Sequence, residues 1–189
     1  MPMKLVVGLG NPGIKHETDR HNVGFWLIDE ICSKRDVVLR ESRKFNAMVG
    51  SDSNGLSLLK PMTFMNASGE SLRAYVKYYR IPPESILILH DELDLEAGIV
   101  RLKRGGGTGG HNGLRSIEKE LGSRDYCRVR LGIGRPKNGE SVTSYVLNAP
   151  NEEQKSAIKD GIKIIVESMN DIVTGGFDRS MGKLNQRVD

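Results

Sequence analysis

Cysteine and long apolar runs are both scarce in this chain of 189 residues, and each scarcity excludes a class of protein. Cys32 and Cys127 are too few for a disulfide framework or a four-cysteine zinc site, so we expect two buried thiols in a reducing cytoplasm. No apolar run approaches the ~20 residues that span a membrane. The first strand starts at Lys4, which leaves no room for a signal peptide. The sequence therefore predicts a soluble, cytoplasmic protein with no membrane partner.

Signatures of several enzyme classes are missing as well. The chain contains no G-x-S-x-G, H-E-x-x-H or C-x-x-C motif. Gly8–Gly13 matches the G-x-G-x-x-G dinucleotide fingerprint, but in that motif the glycines open a helix, and here the charged stretch 14–21 intervenes. No acidic residue ends a second strand at the expected distance either. A nicotinamide- or flavin-dependent oxidoreductase is therefore kept only as an alternative.

What is present is an ordinary globular composition with an uneven distribution of charge. Hydrophobic residues make up 38% of the chain and charged residues 28%. Residues 101–137 contain ten Lys or Arg and three Asp or Glu, a net charge of +7, whereas the rest of the chain sums to −3. These cations flank a glycine-rich loop that a ligand could approach closely. They favour a phosphate-bearing polyanion as partner over a merely solvated surface.

Hydrophobic periodicity predicts alternating strands and helices along the chain. Strands are expected at 4–10, 86–89, 99–103 and 127–133, with a hairpin at 48–60 that turns on Asn54-Gly55. Helices are expected at 23–31 with Asn22 as N-cap, from Asn66 or Ser68 to Tyr79, at 114–121 and at 157–173. This order predicts an α/β fold with helices flanking a twisted, mixed and largely parallel central sheet, and residues 1–189 as a single domain.

Candidate functional residues are polar side chains at strand ends and in loops, where α/β proteins place their sites. They are Asn11, His21, Asn66, Asp91, His111 and Asn112. A histidine whose tautomer is fixed by a carboxylate can act as a general base toward water. Asparagine amides can donate to an oxyanion and accept from N–H groups. Spacing alone leaves alternatives open, because His21 and Asp91 also suit cap or turn positions and the glycines of 105–110 also suit a flexible loop.

Taken in order, the motifs resemble those of the bacterial peptidyl-tRNA hydrolases, and the likeness runs from about Lys4 into the C-terminal helix. The matching stretches are GLGNPG at 8–13, RHN at 20–22, KPMTFMN at 60–66 with Ser68-Gly69, HDELDL at 90–95, GGGTGGHNG at 105–113 and RVRLGIGRP at 128–136. The resemblance implies an enzyme that hydrolyses the ester between a peptide, or an N-blocked amino acid, and the 3′ end of tRNA. Such an enzyme recycles tRNA for translation.

The resemblance also implies roles for individual catalytic and binding positions. His21 matches the catalytic base, and Asp91 matches the carboxylate that supports it. Asn11 matches the residue that helps to distinguish N-blocked esters from free ones. Asn66 and Asn112 match positions that hold the peptide and the 3′ end of the tRNA.

Further positions complete the implied site. Phe64 lies in the same binding strip as the asparagines. We expect Met65 and His111 to have supporting roles, and the sequence leaves open whether His111 assists catalysis or only shapes the glycine loop. Lys103 and Arg130 match basic positions that meet tRNA phosphates.

One position departs from the family pattern. The family usually has a tyrosine that can stack on the terminal adenosine, and this chain has His16 there. Histidine can still stack on a base, over a smaller area, so we expect His16 to contact tRNA.

The resemblance implies no cofactor, no metal and no obligate protein partner, and a monomer is usual in the family. The alternative from another class is a relative that binds RNA without hydrolysis, although binding alone requires no water-activating pair.

Overall fold

The computed structural model describes residues 1–186, which are built around a seven-stranded sheet. The strands are β1 (Leu5–Gly8), β2 (Arg40–Ser42), β3 (Ala47–Ser51), β4 (Ser57–Pro61), β5 (Ile86–Glu92), β6 (Val100–Arg104) and β7 (Cys127–Gly132). Their spatial order is β2-β3-β4-β1-β5-β7-β6. The central strands β4, β1, β5 and β7 run parallel, whereas β2, β3 and β6 pair antiparallel towards the two edges.

Helices pack on both faces of this sheet. They are α1 (Val23–Lys34), α2 (Ser68–Tyr79), α3 (Asn112–Leu121), α4 (Val142–Val146), α5 (Glu152–Asp171) and α6 (Phe177–Asn185). One hydrophobic core joins α1, α5 and α6 to one face, and a second joins α2 and α3 to the other. Because both faces are covered, the central strands are continuous apolar runs such as Ile86-Leu87-Ile88-Leu89, in which every side chain is buried.

Local sequence explains where several of these elements begin and end. Asn151 starts α5 with a capping box, in which its side chain accepts from the Gln154 backbone N–H and the Gln154 side chain accepts from the Asn151 N–H. Arg80 ends α2 in the left-handed region at a φ of 54°, and prolines follow it. The β3–β4 hairpin turns at Gly55, whose φ of 83° favours glycine.

The α/β class and the mixed, centrally parallel sheet are confirmed. The predicted strands, hairpin and helices are all present, with shifted boundaries, and α5 begins earlier than its apolar stripe indicated. Three of the strands and α-helices named above were missed, because β2 and α4 are short and α6 has only three apolar side chains. Asn22 occupies the N-cap position of α1, but its side chain makes no capping hydrogen bond there.

Cys32 and Cys127 are buried free thiols, as predicted, and burial raises the pKa of Cys32 to about 11. Within residues 1–186, no helix combines the length and the apolar character that crossing a membrane requires.

A single side chain covers the middle of the edge strand β6. The Asn185 amide, in α6, accepts a hydrogen bond from the Leu102 N–H at 2.8 Å and donates one to the Leu102 carbonyl at 2.9 Å. These are the two backbone groups that a further strand would otherwise bind. The Asn185 side chain therefore takes the place of a neighbouring peptide group.

Helix α1 crosses the sheet so closely that glycine is required on both sides of the contact. A Cβ on Gly24 would lie 2.4 Å from the Leu89 carbonyl oxygen and 2.5 Å from the Leu9 backbone. A Cβ on Gly8 would lie 2.3 Å from the Gly24 carbonyl oxygen. This approach holds the start of α1, with His21 just before it, against the carboxyl ends of β1 and β5.

We expect Gly24→Ala to lower the free energy of unfolding by ~1–3 kcal/mol or more, because the new methyl group meets backbone atoms that cannot move independently. Gly182→Ala is the matched control, since Gly182 lies in α6 with nothing within 4 Å of its Cβ position. That variant should gain ~0.5–1 kcal/mol from helix propensity. Urea denaturation of both variants measures the difference, and equal effects would contradict the close crossing.

Candidate active site

A pocket of about 590 Å³ opens at the carboxyl ends of the parallel strands, which is where α/β folds bind their ligands. The loop after β1 contributes Asn11, and the turn before α1 contributes His21. The end of β5 contributes Asp91, and the loop between β6 and α3 contributes His111. Four separate segments of the chain therefore meet in one place.

Asp91 is the centre of the polar part of the pocket, with only 2% of its surface exposed. His21 Nδ1 lies 3.1 and 3.0 Å from its two carboxylate oxygens. His111 Nε2 lies 2.8 Å from Oδ1 of the same carboxylate. One buried carboxylate thus accepts from two imidazoles, whose ring centroids are 4.9 Å apart.

Hydrogen bonds determine which ring nitrogens hold protons. His111 Nδ1 accepts from the backbone N–H groups of Gly113 and Leu114 at 3.1 and 3.4 Å, so in the neutral ring the proton is on Nε2 and points at Asp91. His21 directs its Nδ1–H at the same carboxylate. Among residues 1–186, no hydrogen bond engages His21 Nε2, which therefore keeps the free lone pair of a neutral imidazole.

Burial and the shared carboxylate act in opposite directions on these groups. Burial favours the neutral form of His21, but the charge of Asp91 and its hydrogen bond outweigh burial, so the pKa of His21 lies above its ordinary value of 6.5. Burial alone would raise the pKa of Asp91, yet the two imidazoles hold it well below its ordinary value of 3.8. At neutral pH, Asp91 is therefore ionised and His21 can exchange a proton.

A pair of asparagines fixes the loop after β1. The Asn22 side chain accepts from the Asn11 N–H at 2.8 Å and donates to the Asn11 carbonyl at 2.9 Å. The Asn11 side-chain oxygen accepts from the Met65 N–H at 2.7 Å. Because its oxygen is engaged, Asn11 has its amide nitrogen left as a donor to the pocket.

Known proteins match this chain over nearly its whole length. The family model for peptidyl-tRNA hydrolase matches residues 5–189. The chain belongs to the peptidyl-tRNA hydrolase family. The peptidyl-tRNA hydrolase of Methylococcus capsulatus is 44% identical over 185 residues, which cover 97% of this chain and 99% of the relative. That of Alkalilimnicola ehrlichii is 42% identical over 190 residues, covering 98% of this chain and 96% of the relative.

Solved structures of the peptidyl-tRNA hydrolase family have the same fold. A crystal structure of peptidyl-tRNA hydrolase from Acinetobacter baumannii superposes with a TM-score of 0.93 at 40% identity, over 97% of this chain and 95% of the other. The resemblance drawn from the motifs and the predicted enzyme class are thereby confirmed.

Most residues that the sequence singled out line the pocket of this peptidyl-tRNA hydrolase family member. They are Asn11, His16, His21, Phe64, Met65, Asn66, Asp91, His111 and Asn112. Phe64, Asn66 and Asn112 are exposed, whereas Met65 is buried. His16 Nδ1 lies 2.7 Å from Asp19 Oδ2, which orients its ring.

The two predicted basic positions do not line the pocket. Arg130, on β7, donates from Nε to Glu92 at 2.9 Å, and Glu92 itself lines the pocket. Lys103, on β6, is exposed, and no other residue of the described range forms an ion pair with it. The strand register pairs Lys103 with Arg128 and Arg101 with Arg130, so these side chains project from one face of the sheet.

Helix α4 forms a wall of the pocket that sequence reasoning missed. Its lining side chains are Val142, Thr143 and Val146, and Leu147, just after the helix, also lines the pocket. Arg20 holds this wall, donating to the backbone carbonyls of Tyr145 and Asn148 at 3.0 and 3.1 Å and to the Gln154 side chain at 2.9 Å. The sequence offered two signals for this wall, Arg20 and the apolar i, i+4 pair Val142 and Val146. One such pair is too short a pattern to identify a helix.

His21, Asp91 and His111 also have the side-chain types of a metal site, with donor atoms within 4.8 Å of one another. Within residues 1–186 they are the one such group. Hydrogen bonds from protonated ring nitrogens to the carboxylate account for their approach in the protonation states described above.

The chain has four histidines, so an NMR titration can follow each imidazole. We expect a midpoint above pH 6.5 for His21. His90 should stay neutral far below that pH, because burial, with a smaller contribution from His111, lowers its pKa to about 3. Asp91→Asn should lower the His21 midpoint, since it removes the charge that raises the pKa. An unchanged midpoint in that variant would contradict the coupling.

Proposed function

We propose that the chain hydrolyses the ester joining a peptide, or an N-blocked amino acid, to the 3′ end of tRNA, with water activated by His21. The observation that supports this most directly is that no residue between 1 and 186 forms a hydrogen bond with Nε2 of His21, whose ring lines the pocket and donates from Nδ1 to buried Asp91. Family membership supports the substrate class.

In the proposed reaction, His21 Nε2 takes a proton from water as the water oxygen attacks the ester carbonyl carbon. The carbonyl π electrons move to the oxygen and form a tetrahedral intermediate. When this collapses, the carbon–oxygen bond to the ribose breaks, and the imidazolium returns the proton to the departing 3′ oxygen. Asp91 stays ionised throughout and stabilises the imidazolium. An ester has a leaving group good enough that no covalent nucleophile is required.

Amide side chains supply the remaining polar contacts in this proposal. The Asn11 amide nitrogen is available because its oxygen is bound to the Met65 N–H, and we assign it to the acyl group next to the scissile ester, where blocked and free amines differ. Asn66 and Asn112 are exposed in the pocket and suit the peptide main chain and the 3′ end. A single amide that donates to the developing oxyanion lowers the activation free energy of ester hydrolysis by about 2.7–4 kcal/mol.

The tRNA is proposed to lie next to the pocket, along the strands β6 and β7 that hold Lys103 and Arg130. Lys103 and Arg130 bind phosphates, so binding weakens as salt concentration rises. His16 and Phe64 line the pocket and offer rings on which a terminal base can stack. We also propose that the chain acts as a monomer in the cytoplasm, where translation takes place.

The decisive assay follows the release of N-acetyl-amino acid from N-acetyl-aminoacyl-tRNA. Wild type should cleave this ester and leave free aminoacyl-tRNA intact. His21→Ala and the more nearly isosteric His21→Asn should lose at least ~10²-fold in kcat, because they remove the imidazole that is proposed to take the proton. Both variants should bind tRNA as tightly as wild type, which filter binding or fluorescence anisotropy measures.

Two outcomes of that assay would count against the proposal. If wild type binds tRNA but releases no amino acid, the chain is an RNA-binding relative without hydrolase activity. If the His21 variants keep their rate, another group activates the water.

We expect Asp91→Asn to lower kcat/KM by roughly 10²–10⁴-fold. An amide nitrogen at this position donates to His21 Nδ1, which moves the ring proton to Nε2 and removes the lone pair that accepts from water. Asp178→Asn, which neutralises an exposed aspartate paired with Arg104, is the control and should keep the wild-type rate. Similar rates for the two variants would exclude a tautomeric role for Asp91.

A further inference from the structure

Arg128, on β7, is buried with 2% exposure although no ion pair among residues 1–186 includes it. The nearby carboxylate of Glu92 is bound by Arg130 instead. A guanidinium without a carboxylate partner is costly to bury unless its donors are used. Arg128 donates from Nη1 to the Gly107 carbonyl at 3.0 Å and from Nη2 to the Gly105 carbonyl.

The glycine loop, residues 105–111, passes directly over this guanidinium. A Cβ on Gly106 would lie 2.9 Å from Arg128 Nη2 and 2.6 Å from Lys103 Cε, and φ of Gly106 is 88°. Both the space and the backbone conformation therefore favour glycine at 106. The planar fork of arginine presents two donors in fixed directions, which suits two carbonyls on one loop.

The glycine loop leads into the catalytic hydrogen bonds. It connects β6 to α3 and ends at His111, whose N–H donates to the Thr108 carbonyl at 3.0 Å. His111 Nε2–H binds the Asp91 carboxylate, which also accepts from His21. A continuous series of contacts thus runs from Arg128 through the loop and His111 to Asp91.

We propose that Arg128 is a positioning residue, which holds the glycine loop so that His111 shares the Asp91 carboxylate with His21. Its catalytic consequence rests on the proposed function, whereas its effect on the imidazoles does not. The low exposure of Arg128 leaves it no access to a tRNA phosphate, unlike Lys103 on the opposite strand.

The proposal explains why a second donor to Asp91 matters. If the loop moves and His111 withdraws, the carboxylate accepts from His21 alone, and its charge acts more strongly on that ring. His21 then stays protonated to higher pH and is a poorer base at neutral pH. Loss of Arg128 should therefore raise the His21 midpoint, which a general loss of stability would not do.

The first test is an imidazole NMR titration of the full chain as wild type, Arg128→Met and Arg128→Lys. Arg128→Met should shift the His111 signals and move the His21 midpoint to higher pH. Arg128→Lys keeps the charge and can bind one carbonyl, so it should give an intermediate shift. Arg104→Met removes an exposed guanidinium beside the loop that pairs with Asp178, and should leave all four histidines unchanged.

Kinetics supply the second readout. Arg128→Met should lower kcat by roughly 10–100-fold, as displacement of a catalytic group by about 1 Å does, with KM little changed. The NMR titration needs no substrate. If wild type proves inactive but Arg128→Met still shifts the His111 and His21 signals, the positioning role is supported and only the hydrolase proposal is overturned. Unchanged His111 and His21 signals in folded Arg128→Met would overturn the positioning role.

If Arg128→Met does not fold, Gly106→Ala disturbs the same contact from the loop side. Its methyl group would meet Arg128 Nη2 and Lys103 Cε, so it should give the same direction of shift at His111 and His21. Normal signals for both imidazoles in this variant would overturn the proposal.

Discussion

The interior of this protein tolerates the charge of Asp91 because two imidazole N–H groups point at it, and the arrangement of the cleft depends on that constraint. His111 can serve as one donor because its other nitrogen is bound to the N–H groups that begin α3. His21 serves as the other and has its outer nitrogen left for chemistry. One carboxylate thereby joins two rings from different parts of the chain: it fixes the tautomer of His21, whereas the backbone at the start of α3 fixes that of His111.

Backbone contacts hold the surroundings of that carboxylate. The close crossing of Gly8 and Gly24 sets the position of His21 relative to the sheet. Arg20 and Arg128 are both buried, and each binds backbone carbonyls: Arg20 those of the α4 wall, and Arg128 those of the glycine loop. Both arginines therefore hold the backbone of these walls directly.

The sequence predicted the fold class well, because buried parallel strands are apolar runs and helices have their own period. Strand ends placed His21 and Asp91 among the candidate residues, because the carboxyl ends of parallel strands share one edge of a sheet, but spacing left their pairing open and the motif resemblance implied it. The sequence did not reveal that His111 shares Asp91, because that depends on the backbone conformation of a loop rich in glycine. The sequence assigned no structural role to Arg20 and counted Arg128 among the cations expected to face a polyanion, since nothing in a linear sequence distinguishes an arginine that binds carbonyls from one in solvent. The motif resemblance supplied individual roles that spacing alone left open.

The Asn185 amide that occupies both free backbone groups of Leu102 has a consequence for the behaviour of the protein in concentrated solution. An uncovered edge strand is a template on which another molecule can add a strand, and repeated addition leads to aggregates. Helix α6 thus occupies the middle of β6, where another strand would otherwise find two free backbone groups. We therefore expect α6 to protect the protein from aggregation as well as to contribute to the core, because its removal would expose these two groups of the edge strand.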